Sequence, residues 1–195
     1  MTIEKVKQEG GFFFPPGGIL IWMVIIVEII TFAAGLTAFS VQRRSNIELF
    51  QKSAQMLNQG FALANTIILI TGGYFMAMAI SRLRQDDNRA SSAWTLAAVF
   101  TGIAFLMLKG FEYYQKLEHG IGLEYNQFFN FYWLLTGFHY LHVLLGTMIL
   151  LVMYFKIKKR IYNKNNLLDV ETSAAFWHMC DLIWLLLFAV LYLIK

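Results

Sequence analysis

Five stretches of about twenty residues, almost free of charge, follow one another along this chain at 17–39, 61–81, 93–113, 128–155 and 172–194. Each is long enough, at 1.5 Å per helical residue, to cross a hydrocarbon layer about 30 Å thick. A segment in lipid must close its own backbone hydrogen bonds, so all five are read as helices. The expected fold is therefore all-α, a polytopic membrane bundle of five transmembrane helices forming a single membrane domain over 1–195. The polar connections are too short to bury a second core.

Composition agrees: 58% of the residues are hydrophobic and 14% charged, against about a quarter charged in ordinary globular chains. Mean hydropathy is +0.55. The net charge of +4 raises the question of a nucleic-acid partner. The Lys and Arg residues are spread over short connections instead of forming one basic face, so none is expected. Residues 1–16 carry Glu4, Lys5, Lys7 and Glu9 and lead into the first span without a small-residue cleavage pattern, so that span is expected to be retained. The single cysteine, Cys180, lies in an apolar run and reads as packing.

Alternate connections differ in positive charge. Lys5, Lys7, Arg82, Arg84, Arg89, Lys156, Lys158, Lys159, Arg160 and Lys164 fall on one side, and Arg43, Arg44, Lys52, Lys116 and Lys195 on the other. Positively charged loops stay cytoplasmic, which predicts the amino terminus inside and the carboxyl terminus outside. Arg43 and Arg44 pull against that count. The connection at 117–127 reads as an outer loop, with an interfacial aromatic cluster around it that includes Tyr113, Tyr125 and Trp133.

Ionisable groups inside spans are costly unless answered, so Glu28, Lys109, Glu112, His139, His142, His178 and Asp181 carry the information. Lys109 and Glu112, His139 and His142, and His178 and Asp181 each stand three apart, on one helix face. Counting along the helices predicts an outer polar layer of Lys109, Glu112, His139 and His142 and an inner layer of His178 and Asp181, with Glu28 between them or joined to the outer one. A proton path, a haem or metal site, and plain hydrogen bonding between helices all fit such a pattern. Two histidines on one face cannot clasp a haem from both sides. A metal cage needs more ligands than the four histidines supply, since His119 falls in a loop. Structural hydrogen bonding is the expectation, with a proton-related role for Glu28 next.

These same residues carry a resemblance. Thr136-Gly137-Phe138-His139-Tyr140-Leu141-His142-Val143, followed by Gly146, is similar to the TGFHxLHVxxG segment of subunit III of the haem-copper oxidases. Glu171, then Phe176-Trp177-His178-Met179-Cys180-Asp181 and Trp184, resemble that family's E…YWHFVDxxW. Lys109, Glu112 and Tyr113 resemble its (Q/K)xxEY, Asn65-Thr66 its LNT, and Glu28 stands where it carries a buried glutamate. Phe176, Met179-Cys180 and Tyr140 depart from the pattern without removing an ionisable site. The resemblance adds Asn65 and Glu171 to the expected buried polar network.

The resemblance implies a short, five-span subunit of a bacterial cytochrome c or quinol oxidase in the cytoplasmic membrane. It implies no redox centre here, with haem and copper held by a partner, the catalytic subunit I. Other oxidase subunits, membrane lipids and a structural phospholipid are its further expected associates. Four histidines in these positions cannot build two haems and a copper site. A relative accompanying a nitric oxide reductase, and a small transporter with Glu28 as proton carrier, are the alternatives. The transporter would need a broken helix or inverted repeat, and neither is clear.

Overall fold

Each apolar run folds as one long helix, and in three of them a polar side chain fixes the start. Asn58, Asp87 and Asn126 accept from the backbone N–H of Phe61, Ala90 and Phe129 at 3.0–3.1 Å, satisfying donors that a helix leaves open at its first turn. The computed structural model describes residues 17–193; the expectations placed on Lys5, Lys7 and Lys195 lie outside the described residues.

The helices are α1 (Ile19–Ser45), α2 (Ile47–Gln55), α3 (Gln59–Arg84), α4 (Asn88–Glu118), α5 (Gln127–Lys158) and α6 (Leu168–Phe188), the last continuing as a π-helical turn, Ala189–Leu193. All but α2 are long and apolar enough to cross a membrane. Among the described residues there is no strand beyond an isolated bridge between Asn163 and Asn166. The chain is an all-α, multi-pass membrane protein. The helices overrun the apolar runs by several residues, because caps and turns set their ends and flanking charges remain good helix formers.

The connection between the first two spans contains α2. Its apolar residues Ile47, Phe50 and Ala54 share one face, and Phe50 packs edge-on against Phe39 of α1 and Phe128 of α5 with ring centroids 5.2 and 5.7 Å away. A one-face pattern diluted by Glu48, Gln51 and Lys52 is typical of a helix lying in the membrane interface.

α6 occupies the middle of the bundle, touching α1, α3 and α5, whereas α1 lies at its edge. Half of the most apolar stretch of α6 is buried, against 22% for α1. Trp177 explains much of this centrality. A Cβ placed on Gly72 of α3, Gly102 of α4 or Gly146 of α5 would meet the Trp177 ring at 3.2, 2.9 and 3.2 Å. Three helices thus forgo side chains to admit one fully buried indole, the close approach that small residues permit inside membranes.

One end of the bundle gathers α2, the starts of α3 and α5, and the ends of α1, α4 and α6. The other gathers the Arg84–Asn88 turn, the 159–167 connection and the start of α6. There Asp86 accepts from the Lys164 backbone N–H at 2.9 Å, and Asn88 donates to the Tyr162 carbonyl at 2.9 Å.

Candidate functional site: polar clusters inside the bundle

On α4 the core-facing stripe runs Thr95, Ala98, Val99, Gly102, Phe105, Lys109, Glu112 and Lys116. The three ionisable residues therefore continue the apolar face inward instead of turning to the surface. Lys109 is fully buried, nine residues before the helix end and so about 14 Å inside it. Its Nζ donates to Glu112 Oε2 at 2.9 Å, Tyr132 Oη at 3.0 Å and Tyr192 Oη at 2.7 Å, which uses all three ammonium donors.

Glu112 is answered as fully. Its Oε1 accepts from Tyr132 at 2.8 Å and Tyr192 at 3.2 Å and lies 3.4 Å from Lys116 Nζ. The rings of Tyr113, Tyr132, Trp184 and Tyr192 surround Lys109 Nζ with centroids 4.9–5.4 Å away, within reach of cation–π attraction. This cluster ties α4 to α5 and to the π-helical end of α6. Gln59 at the start of α3 donates to the Tyr192 carbonyl at 2.7 Å, supplying a partner outside the helix in that widened turn.

A second pair lies deeper. Glu28 projects from α1 toward α5, where its Oε2 sits 3.3 Å from His142 Nε2, close enough for an ion pair but not aligned as a hydrogen bond. His142 Nδ1 lies 2.9 Å from the Phe138 carbonyl. A carbonyl only accepts, so Nδ1 carries the proton and Nε2 turns to the carboxyl. His139, one turn away, is fully buried and stacks on Trp184 at 5.4 Å. Neither of its ring nitrogens has a hydrogen-bond partner among the described residues.

The third pair is His178 and Asp181 on α6, with Nδ1 and Oδ2 3.5 Å apart. Gly73 of α3 makes room for them: a Cβ there would run into Asp181 Oδ2 and come within 3.2 Å of His178 Nδ1.

The expected set of nine is thus dispersed. Glu28 and Lys109 were expected in one outer layer, yet their clusters share no hydrogen bond among the described residues, because α1 sits at the edge and meets α5 and α6 instead of α4. His178 was expected to be buried, but 48% of its side chain is exposed. Buried Trp177 and Trp184 turn their face of α6 inward, and His178, about 100° further round the helix from Trp177, falls beyond that face. Glu171 belongs to no interior network: it lies in the first turn of α6 and accepts from Arg84 at 2.8 Å near the bundle end. Asn65 is fully buried, with no side-chain partner among the described residues.

Tyr132, Tyr192 and Lys116 were not anticipated as members of a cluster. Spacing offered a signal for two of them, since Lys116 follows Lys109 by seven residues and Tyr132 precedes His139 by seven, two turns along one face. Tyr192 gave none, because its position depends on the π turn. Among the described residues no three His, Cys, Asp or Glu side chains gather as a metal-holding group.

A family model described as Cytochrome c oxidase subunit III matches residues 18–195. Curated relatives include a cytochrome c oxidase subunit 3 of Rhipicephalus sanguineus, 35% identical over 67% of this chain and 49% of its own length. The chain spans about half of that relative. A cytochrome c oxidase subunit 3 of Corynebacterium diphtheriae is 26% identical over 89% of this chain and 86% of its own. A heme-copper oxidase subunit I+III of Aeropyrum pernix is 30% identical over 89% of this chain and 22% of its own length.

Proposed function

The chain belongs to the cytochrome c oxidase subunit III family, and on that premise we propose that it is the non-catalytic subunit III of a bacterial haem-copper terminal oxidase. It would pack in the cytoplasmic membrane, amino terminus inside, against the subunit that holds haem and copper, and support oxygen reduction and proton translocation there. The match across the whole described bundle carries this reading, and the Aeropyrum relative, whose name joins subunits I and III in one chain, supports the partnership.

The interior polar groups fit an accessory role. Lys109 and Glu112 are saturated by their own neighbours, which suits a device that fixes helix packing better than one that exchanges ligands. Glu28 and His142 are the pair with capacity to spare, and they are the groups through which this subunit would touch proton movement. Lipids at the bundle surface complete the expected surroundings.

The test is purification of the tagged chain from its native membrane. The expected result is a complex with haem absorbance and oxygen-consuming activity, with the redox centres assigned to other chains. Stoichiometric haem or copper on the isolated subunit would defeat the accessory reading. A complex that reduces nitric oxide but not oxygen would replace the acceptor.

A further inference from the structure

The exposed stripe of α6 runs through His178, Leu182 and Leu185, with half-buried Ala175 before them, and α3 approaches it at Gly73. His178 stands ten residues into α6, about 15 Å from its start and so near mid-membrane. Nearly half of its side chain is open there. Nδ1 faces Asp181, and Nε2 has no partner among the described residues.

An imidazole cannot remain so in lipid. At that depth the surroundings are acyl chains without hydrogen-bonding groups, the ring is too short to reach the headgroups, and the unmet group costs several kcal/mol. Small residues flank it: Gly73 of α3, where an added Cβ would come within 3.2 Å of His178 Nδ1, and Ala175, three residues earlier on α6. Small residues of this kind let a neighbouring helix come close. The other strongly exposed faces, such as Phe100, Met107 and Phe111 on α4 or Leu134, Leu141 and Leu145 on α5, are apolar and satisfied by lipid.

We propose that this stripe of α6 is the surface on which a transmembrane helix of the haem-bearing catalytic subunit docks, with a hydrogen-bonding side chain of that helix meeting His178 Nε2. The assignment rests on the subunit III reading and names the face it uses. Asp181 acts as a positioning residue, holding the ring outward from the Gly73 side.

The experiment compares haem retained per chain when wild type, H178L and H178Q are purified from the native membrane. H178L is expected to lose about tenfold, the effect of one hydrogen bond to a desolvated group left unmade, while H178Q keeps most of the haem. Wild-type haem retention by H178L would overturn the docking face and point to lipid, as would a change only in self-association, which would point to a second copy. Wild type purifying without haem would instead overturn the subunit reading itself. Should H178L fail to fold, L182C treated with a bifunctional thiol reagent in membranes reads the same face. Cross-linking to the haem-bearing chain from Leu182 but not from M107C supports the assignment, and equal yields from both overturn it.

Discussion

Lys109 reaches Tyr192 across 2.7 Å, and the hydroxyl it finds is carried by the π-helical turn that ends α6. The hydroxyl serves both charges, since it also contacts Glu112 Oε1 at 3.2 Å. The ion pair is therefore buttressed from a helix other than its own. A π turn shifts side chains relative to an α-helical continuation, so this local change of geometry is what brings the end of α6 into the cluster.

Tyr192→Phe keeps the ring and deletes the hydroxyl. It leaves one ammonium donor of Lys109 unmade and is expected to destabilise the chain by about 1–3 kcal/mol, the cost of an unsatisfied buried group. Thermal unfolding in detergent, followed by helical circular dichroism, measures it.

Removing a charge should cost more than removing a hydroxyl. Glu112→Ala strands the buried Lys109 without a countercharge, and a loss of about 3–5 kcal/mol is expected. The double change Lys109→Met with Glu112→Leu should recover much of it, because both charges then leave the interior together. Chemical unfolding of the single and double variants closes the cycle, and a double variant no more stable than E112A would contradict it.

Gly102→Ala places a Cβ 2.9 Å from the Trp177 ring and against Thr147 Oγ1, which already donates to the Val143 carbonyl. Overpacking of this kind costs about 1–3 kcal/mol. Gly137→Ala, with open space beside it, serves as the control, and its melting temperature should not fall.

Glu28→Gln retains size and one hydrogen-bonding end. The assembled complex is expected to form and to consume oxygen, with altered proton uptake or a shorter working life during turnover. Failure to assemble would show that the carboxyl is needed for structure.

Tyr162, in the connection between α5 and α6, donates to Asp169 Oδ2 at 2.8 Å. Burial first, and then that carboxylate, push its hydroxyl up to about 12. A group whose acidity is weakened by folding lends its stability below its unfolded value, near 10, and loses it as pH climbs through the folded one. Ultraviolet titration of wild type against Y162F should show one tyrosine ionising late, and the stability difference between them should shrink above about pH 10.

Much of this architecture can be read from the chain because lipid imposes it: an uncharged run of twenty residues has few other places to go. The pairing of Lys109 with Glu112 and of His178 with Asp181 was legible for a related reason, that three residues along a helix return to the same face. What could not be read is which face meets which helix. Glu28 belongs to His142 and not to Lys109 because of where α1 leans, and nothing local to residue 28 encodes that. α2 was hidden by its shortness, since nine residues of mixed polarity resemble a loop until Phe50 is seen against Phe39 and Phe128. His178 shows the limit most plainly: its spacing from Asp181 was correct, yet whether that pair faced inward depended on Trp177 beside it.

That tryptophan has a historical consequence. Because three helices each yield space to the same indole, positions 72, 102 and 146 cannot drift independently. A lineage that gains bulk at one of them must make room against residue 177, and at 72 and 102 against Thr101 and Thr147 as well; one that loses the indole leaves a cavity bordered by three helices. Sequences descending from a common ancestor of this bundle should change at these four positions jointly or not at all.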